Sequence, residues 1–181
     1  NQLSIVIQGE AKPFKEATKQ LANAIERHKS LKSLSISFSI CEASVFDTIF
    51  KAAAKTGSLV ALKLNCRQMG ELKSSLFKEL KGALNKIPNL KAFSIDMGSV
   101  PISSRDFSGL IDSLEKLKSL QKLVLRLFLQ KPTTAAFQKF LEFVQSARYL
   151  KSRTLQIKGC SDEQGLELKK LLRTSSSFWP N

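Results

Sequence analysis

Apolar residues recur along this chain in two alternating periods. Short segments with every second position apolar read Leu3-Ser-Ile-Val-Ile7, Leu34-Ser-Ile36, Leu62-Lys-Leu64, Phe93-Ser-Ile95, Leu123-Val-Leu125 and Leu155-Gln-Ile157. A period of two predicts strands with one buried and one exposed face. After each comes an irregular stretch, and then apolar residues at helical spacing. Phe107, Leu110, Leu114 and Leu117 lead into Leu120, and Phe77, Leu80, Leu84 and Ile87 lead into Leu90 with the same offsets. Phe137, Phe140, Val144 and Ala147 lead into Leu150 in the same way. Such offsets lay the side chains along one stripe of a helix. The pattern predicts helices at about 13–28, 43–55, 71–85, 104–118, 133–147 and 162–174. Start signals agree: Lys12-Pro13, Ser103-Ser104 ahead of Asp106, Thr133-Thr134 after Pro132, and Ser161 ahead of Asp162-Glu163.

The two periods are locked together. An aromatic residue stands thirteen positions ahead of a leucine in the pairs Phe46/Leu59, Phe77/Leu90, Phe107/Leu120 and Phe137/Leu150. The opening leucines from Leu31 onward are spaced by 28, 31, 30 and 30 residues. A repeat of that length means that each unit is one strand–helix element that buries its apolar face only by stacking on its neighbours. A doubly wound sheet or a barrel also alternates strand and helix, but strands covered on both faces are nearly all apolar. Here polar or small residues separate the leucines, and the strands are expected to be about three to five residues long. Gln8-Gly9-Glu10-Ala11 after the first strand lacks the further glycines of a dinucleotide fingerprint.

On these residues the chain resembles the leucine-rich repeats of the long, ribonuclease-inhibitor-like type. Leu59-x-x-Leu62-x-Leu64 and Leu120-x-x-Leu123-x-Leu125 carry the likeness best, and Leu31-x-x-Leu34-x-Ile36 and Leu90-x-x-Phe93-x-Ile95 follow with substitutions. The resemblance implies an α/β leucine-rich-repeat solenoid of about six strand–helix units, with a curved parallel sheet on the concave side and helices on the convex side. Residues 1–174 form this single domain and 175–181 a C-terminal tail. Leu150 stands two residues too far from Leu155, which predicts a bulge near Arg153-Thr154. Where the family places Asn or Cys after each strand, this chain has Ser39, Arg67, Gly98, Phe128 and Cys160. The turns are therefore expected to satisfy their backbone groups by other means.

Charge changes the picture more than composition does. The chain holds 29 Lys and Arg against 15 Asp and Glu, a net charge of +14, which favours acidic proteins or polyanions as partners. Its 43% apolar and 24% charged residues are those of a folded protein. No apolar run approaches a membrane span, no secretory signal is visible, and three scattered cysteines suit an intracellular compartment. Asn1 lies almost inside the first strand and no cap precedes Leu3, so either further residues or, as the favoured expectation, a neighbouring subunit covers that strand. The tail with Phe178 and Trp179 is expected to fold back over the last helix or to dock elsewhere.

In such a solenoid the exposed strand positions form the contact set. Between the core residues of successive strands lie Ser35, Lys63, Ser94, Val124 and Gln156. One position ahead lie Ser33, Ala61, Ala92, Lys122 and Thr154, and one beyond lie Ser37, Asn65, Asp96, Arg126 and Lys158. The early units are small and neutral, and the late ones basic. This predicts an acidic or phosphate-bearing surface gripped by Lys63, Asp96, Lys122, Arg126, Arg153, Gln156 and Lys158. A second basic row, including Lys86, Lys91, Lys116, Lys118, Arg148 and Lys151, follows the helix ends, where cations complement the helix dipole. Acids stand correspondingly near helix starts, at Glu42, Asp47, Glu71, Asp106 and Asp162.

The function expected is a non-enzymatic protein–protein interaction scaffold within a larger assembly. The alternative is an RNA-contacting subunit of a ribonucleoprotein that uses the basic rim. Base stacking would need exposed aromatics, for which Phe38, Phe128, Tyr149, Phe178 and Trp179 are the candidates. No catalytic set, metal site, cofactor or small-molecule substrate is expected. The lone His28 sits in a charged helix end, and Cys41, Cys66 and Cys160 read as small apolar fillers.

Overall fold

The computed structural model describes residues 1–8, 14–39, 43–68 and 75–175. Strands and helices alternate strictly: β1 (Gln2–Gln8), α1 (Phe14–Arg27), β2 (Ser33–Ser39), α2 (Ala43–Lys55), β3 (Ala61–Gln68), α3 (Ser75–Leu84), β4 (Ala92–Ile102), α4 (Ser104–Lys116), β5 (Lys122–Leu129), α5 (Thr134–Ser146), β6 (Ser152–Lys158) and α6 (Asp162–Ser175). The six strands form one parallel sheet in sequence order, each paired with the next, and each helix packs on the helix of the next unit. Burial alternates along β2 and β5, so one face of the sheet meets the helices and the other stays open. That one-sided covering identifies an α/β solenoid and excludes a doubly wound sheet.

The core is the predicted stripe. Phe107, Leu110, Leu114, Leu117 and Leu120 are buried, as are their counterparts from Phe77 to Leu90 and from Phe137 to Leu150. An aromatic pair joins two neighbouring units, with Phe107 and Phe140 ring centroids 5.4 Å apart. The starts of α4, α5 and α6 are capped by the residues that signalled them, while Lys12-Pro13 lie outside the described residues. The Ser103 hydroxyl accepts from Asp106 N at 3.1 Å and Thr133 Oγ1 accepts from Ala136 N at 3.3 Å. Ser161 and Gln164 form a reciprocal capping box.

The strands exceed the expected length, running from seven residues in β2 to eleven in β4. Backbone pairing continues past the apolar triplet because amide and carbonyl groups must be matched whatever the side chain. Residues beyond the triplet, Phe38, Cys66, Met97 and Leu127, also turn into the core.

The expected bulge near Arg153-Thr154 is absent. The β5–β6 register runs unbroken from Lys122 opposite Ser152 to Phe128 opposite Lys158. Leu155 and Ile157 therefore continue the rows of Leu125 and Leu127, and Arg153 occupies the row of Leu123. The register shifts that do occur lie between Ser37 and Ser39 and between Asp96 and Pro101.

At the strand entrances a backbone ladder replaces side-chain capping. The Lys32 carbonyl accepts from Val60 N at 2.9 Å and Ala61 N at 3.0 Å. Asn1, Val60, Lys91 and Gln121 carbonyls each accept two consecutive amides of the next unit in the same way. Each such carbonyl uses both lone pairs. At the exits, Asn65 Oδ1 accepts from Arg67 N, and its neighbour Asp96 Oδ1 accepts from Gly98 N. These Asx turns stand in for the family's Asn position.

Two glycines make opposite demands. Gly159 has φ +79°, and a Cβ there would collide with the Leu129 carbonyl, whose carbon lies 3.0 Å away. Gly109, inside α4, has nothing within 4 Å of such a Cβ. Chemical denaturation should show Gly159→Ala losing about 2 kcal/mol or more, while Gly109→Ala gains about 0.5–1 kcal/mol. Equal effects at the two positions would contradict this packing.

Candidate functional site

The open face is a grid set by the strand register. Crossing from β1 to β6, its rows read Gln2, Ser33, Ala61, Ala92, Lys122, Ser152, then Ser4, Ser35, Lys63, Ser94, Val124, Thr154. The third row reads Val6, Ser37, Asn65, Asp96, Arg126, Gln156. In the last unit the sequence-based rows were thus two residues out of step. Gln156 stands beside Arg126, Thr154 beside Val124, and Lys158 beside Phe128. Arg153 faces the helix side, where its guanidinium donates to the Val144 carbonyl at 2.6 Å. A long cation can occupy a leucine position there because the carbonyls at a helix end lack intrahelical partners.

Two depressions lined by described residues lie on this face. The first, of about 150 Å³, has an apolar floor that includes Ala61, Ala92 and Val124, with Lys63 and Lys122 at its sides. The second, of about 310 Å³, is polar and is lined by Arg67, Asp96, Gly98, Arg126, Leu127, Gln156 and Lys158. Of the seven residues expected from sequence, Asp96, Arg126, Gln156 and Lys158 come together around the second, and Lys63 and Lys122 flank the first. Arg153 joins neither.

Asp96 organises the polar depression. It is 8% exposed, and its Oδ2 accepts from Arg67 Nη2 at 2.7 Å and Arg126 Nη1 at 3.4 Å. Arg126 Nε in turn donates to Gln156 Oε1 at 3.1 Å, so one chain of contacts runs from β3 to β6. The backbone makes this possible at Gly98, which has φ +58° and approaches Arg67 so closely that a Cβ would lie 3.0 Å from the Arg67 Cα. Burial acts to raise the Asp96 pKa, but hydrogen bonds from Arg67, Gly98 N and Arg126 and the charge of Arg67 outweigh it and hold the carboxyl below its ordinary value. Arg67 was not recognised from sequence as part of the site. The Asp-x-Gly turn at 96–98 was the available signal, since its glycine, held by Asp96, lies against Arg67 of the strand before it.

Elsewhere among the described residues, Lys63, Lys122 and Lys158 have no carboxylate within ion-pair distance. Phe38, expected to be exposed, is buried with its ring centroid 4.3 Å from that of Phe46, because inward alternation continues past the strand triplet. Tyr149 is partly buried, and the Lys118 ammonium sits 5.8 Å from its ring centroid. Phe128 remains partly exposed on the open face. Phe178, Trp179 and Cys41 lie outside the described residues. His28 is exposed in the α1–β2 turn beside Ser30, and burial raises the Cys160 pKa, which keeps that thiol protonated. No helix among the described residues is long and apolar enough to cross a membrane.

A carboxyl whose pKa is depressed by folding stabilises above its unfolded value, and that contribution disappears as pH falls through the lower folded value. Asp96→Asn should therefore cost about 1 kcal/mol at neutral pH, a figure kept small because both arginines reach solvent. Denaturation of the two proteins across pH should show a constant gap above the unfolded value of 3.8, closing below it. A gap that widens in acid would contradict the arrangement.

The sequence matches no protein-family model and no curated protein. Among solved structures the chain is similar to the tropomodulin C-terminal domain of Caenorhabditis elegans, with a TM-score of 0.61 and 12% identity over 88% of this chain and 93% of that one. At that identity the likeness is one of fold, a leucine-rich-repeat-like α/β solenoid.

Proposed function

We propose that this protein is a non-enzymatic interaction scaffold, a subunit of a larger intracellular assembly, that receives an acidic protein partner on the open face of its sheet. The observation that carries this reading is an open sheet face with short side chains on β2 and with Lys63, Lys122 and Lys158, which have no carboxylate within ion-pair distance among the described residues. Ser33, Ser35 and Ser37 leave room for a partner's backbone, while Lys63 and Lys122 rise on either side of an apolar trough. Such a trough suits an apolar side chain flanked by acids, because the apolar floor can take the side chain while the exposed lysines meet the acids. A solenoid-like fold shared with the tropomodulin domain is compatible with a binding role.

The rim supports the alternative of RNA, since Lys86, Lys91, Lys116 and Lys151 are exposed. Against it, Phe38 is buried and Tyr149 is covered by Lys118, so the described aromatics offer few platforms for base stacking.

The tagged chain should capture proteins from nuclease-treated extract, and Lys63→Glu with Lys122→Glu should weaken that capture about tenfold or more, as expected of removed complementary charges. Lys86→Glu with Lys116→Glu should leave it intact. Capture that collapses with nuclease and yields RNA, or that depends on the rim pair alone, would replace this reading with the ribonucleoprotein one.

A further inference from the structure

The polar depression at the exit end of β3 to β6 carries more positive charge than its own carboxylate neutralises. Arg67, Arg126 and Lys158 supply three cations against the single anion of Asp96, which leaves a surplus of two around about 310 Å³. Resting on the scaffold reading above, we propose that this depression receives a phosphorylated serine or threonine of the protein partner, and that Asp96 is a built-in competitor that disfavours singly charged side chains.

Charge sets the preference. A phosphoryl group carries about −1.5 to −2 at neutral pH, close to the surplus. A partner carboxylate would leave one cation uncompensated and would repeat what Asp96 already provides.

Geometry supports the same assignment. Guanidinium forks match the oxygens of phosphate through paired hydrogen bonds, which a lysine cannot do. The two forks are oriented before a ligand arrives, Arg67 by Asp96 Oδ2 at 2.7 Å and Arg126 by Gln156 Oε1 at 3.1 Å. Their side chains are 57% and 38% exposed, whereas that of Asp96 is 11% exposed. An incoming anion thus meets the guanidiniums from solvent while Asp96 stays behind them. Lys158 stands on the next strand with no carboxylate within ion-pair distance among the described residues. Asp96 therefore does two things at once. It holds the forks in place, and its charge raises the threshold that an incoming anion must overcome.

The test is a titration of the full chain followed by NMR at the Arg67 and Arg126 side-chain Nε–H and Gly98 amide signals. The probes are short neutral peptides that differ at one position, phosphoserine, glutamate or serine, together with a short oligouridylate, at a pH above the phosphate's second pKa of about 6. The phosphoserine peptide should shift all three signals saturably and bind about tenfold or more tightly than the glutamate peptide, as a second charge on paired arginines implies. Asp96→Asn, which keeps an acceptor for Gly98 N, should tighten both and narrow the gap between them. Arg126→Gln should abolish the preference without moving the denaturation midpoint of the free protein appreciably. Equal binding of glutamate, no change with Asp96→Asn, no saturable shift of the three signals, or tighter binding of oligouridylate would each overturn the proposal. If a partner is still captured from extract after phosphatase treatment and with Arg126→Gln, the scaffold reading stands and this site falls. If the wild-type chain captures no protein, the scaffold reading falls on its own.

Discussion

Every strand of this protein buries its apolar face against a single layer of helices, and no unit can do so alone. Burial is roughly proportional to apolar area removed from water, so each strand–helix element gains its stability from the units on either side. The fixed distance from helix phenylalanine to opening leucine follows from that. Phe107, for example, meets Phe140 of the next unit, while Leu120 closes its own. The carbonyl ladder from Asn1 to Gln121 performs the same stacking for the backbone, passing two hydrogen bonds to each new unit at the strand entrance.

One-sided covering also decides where chemistry can sit. With the helices on one face, the other face presents a row of side chains from every strand at the spacing of the sheet. Helix-end cations on the convex side have a local explanation in the helix dipole. Lys63, Lys122 and Lys158 on the sheet do not, because a sheet has little net dipole, whereas Arg126 is paired with Asp96. These three lysines give the open face a positive charge that no helix dipole accounts for. Asp96 adds to this, since it is buried beside Arg67 and Arg126 and ties them into one chain of contacts with Gln156.

Periodicity and spacing alone determined the order of the elements, the helix stripes, the caps at Ser103, Thr133 and Ser161, and the stacking of units. Those features are local: a helix or strand reads its own side chains within a few residues. The open face itself was legible, and so were Lys63, Asp96, Lys122 and Arg126 as residues on it. The tertiary structure alone decided three things. It set the register of β6, which turned Arg153 to the helices and brought Gln156 beside Arg126. It carried the strands past their triplets, which buried Phe38. And it joined Arg67 to Asp96, and Asp96 to an arginine thirty residues further on. Pairing between strands depends on backbone alignment across units, and a two-residue difference in that alignment keeps each side chain on its face but changes its neighbours. No period within one unit encodes that alignment, so the contacts between units appear only when the units are stacked.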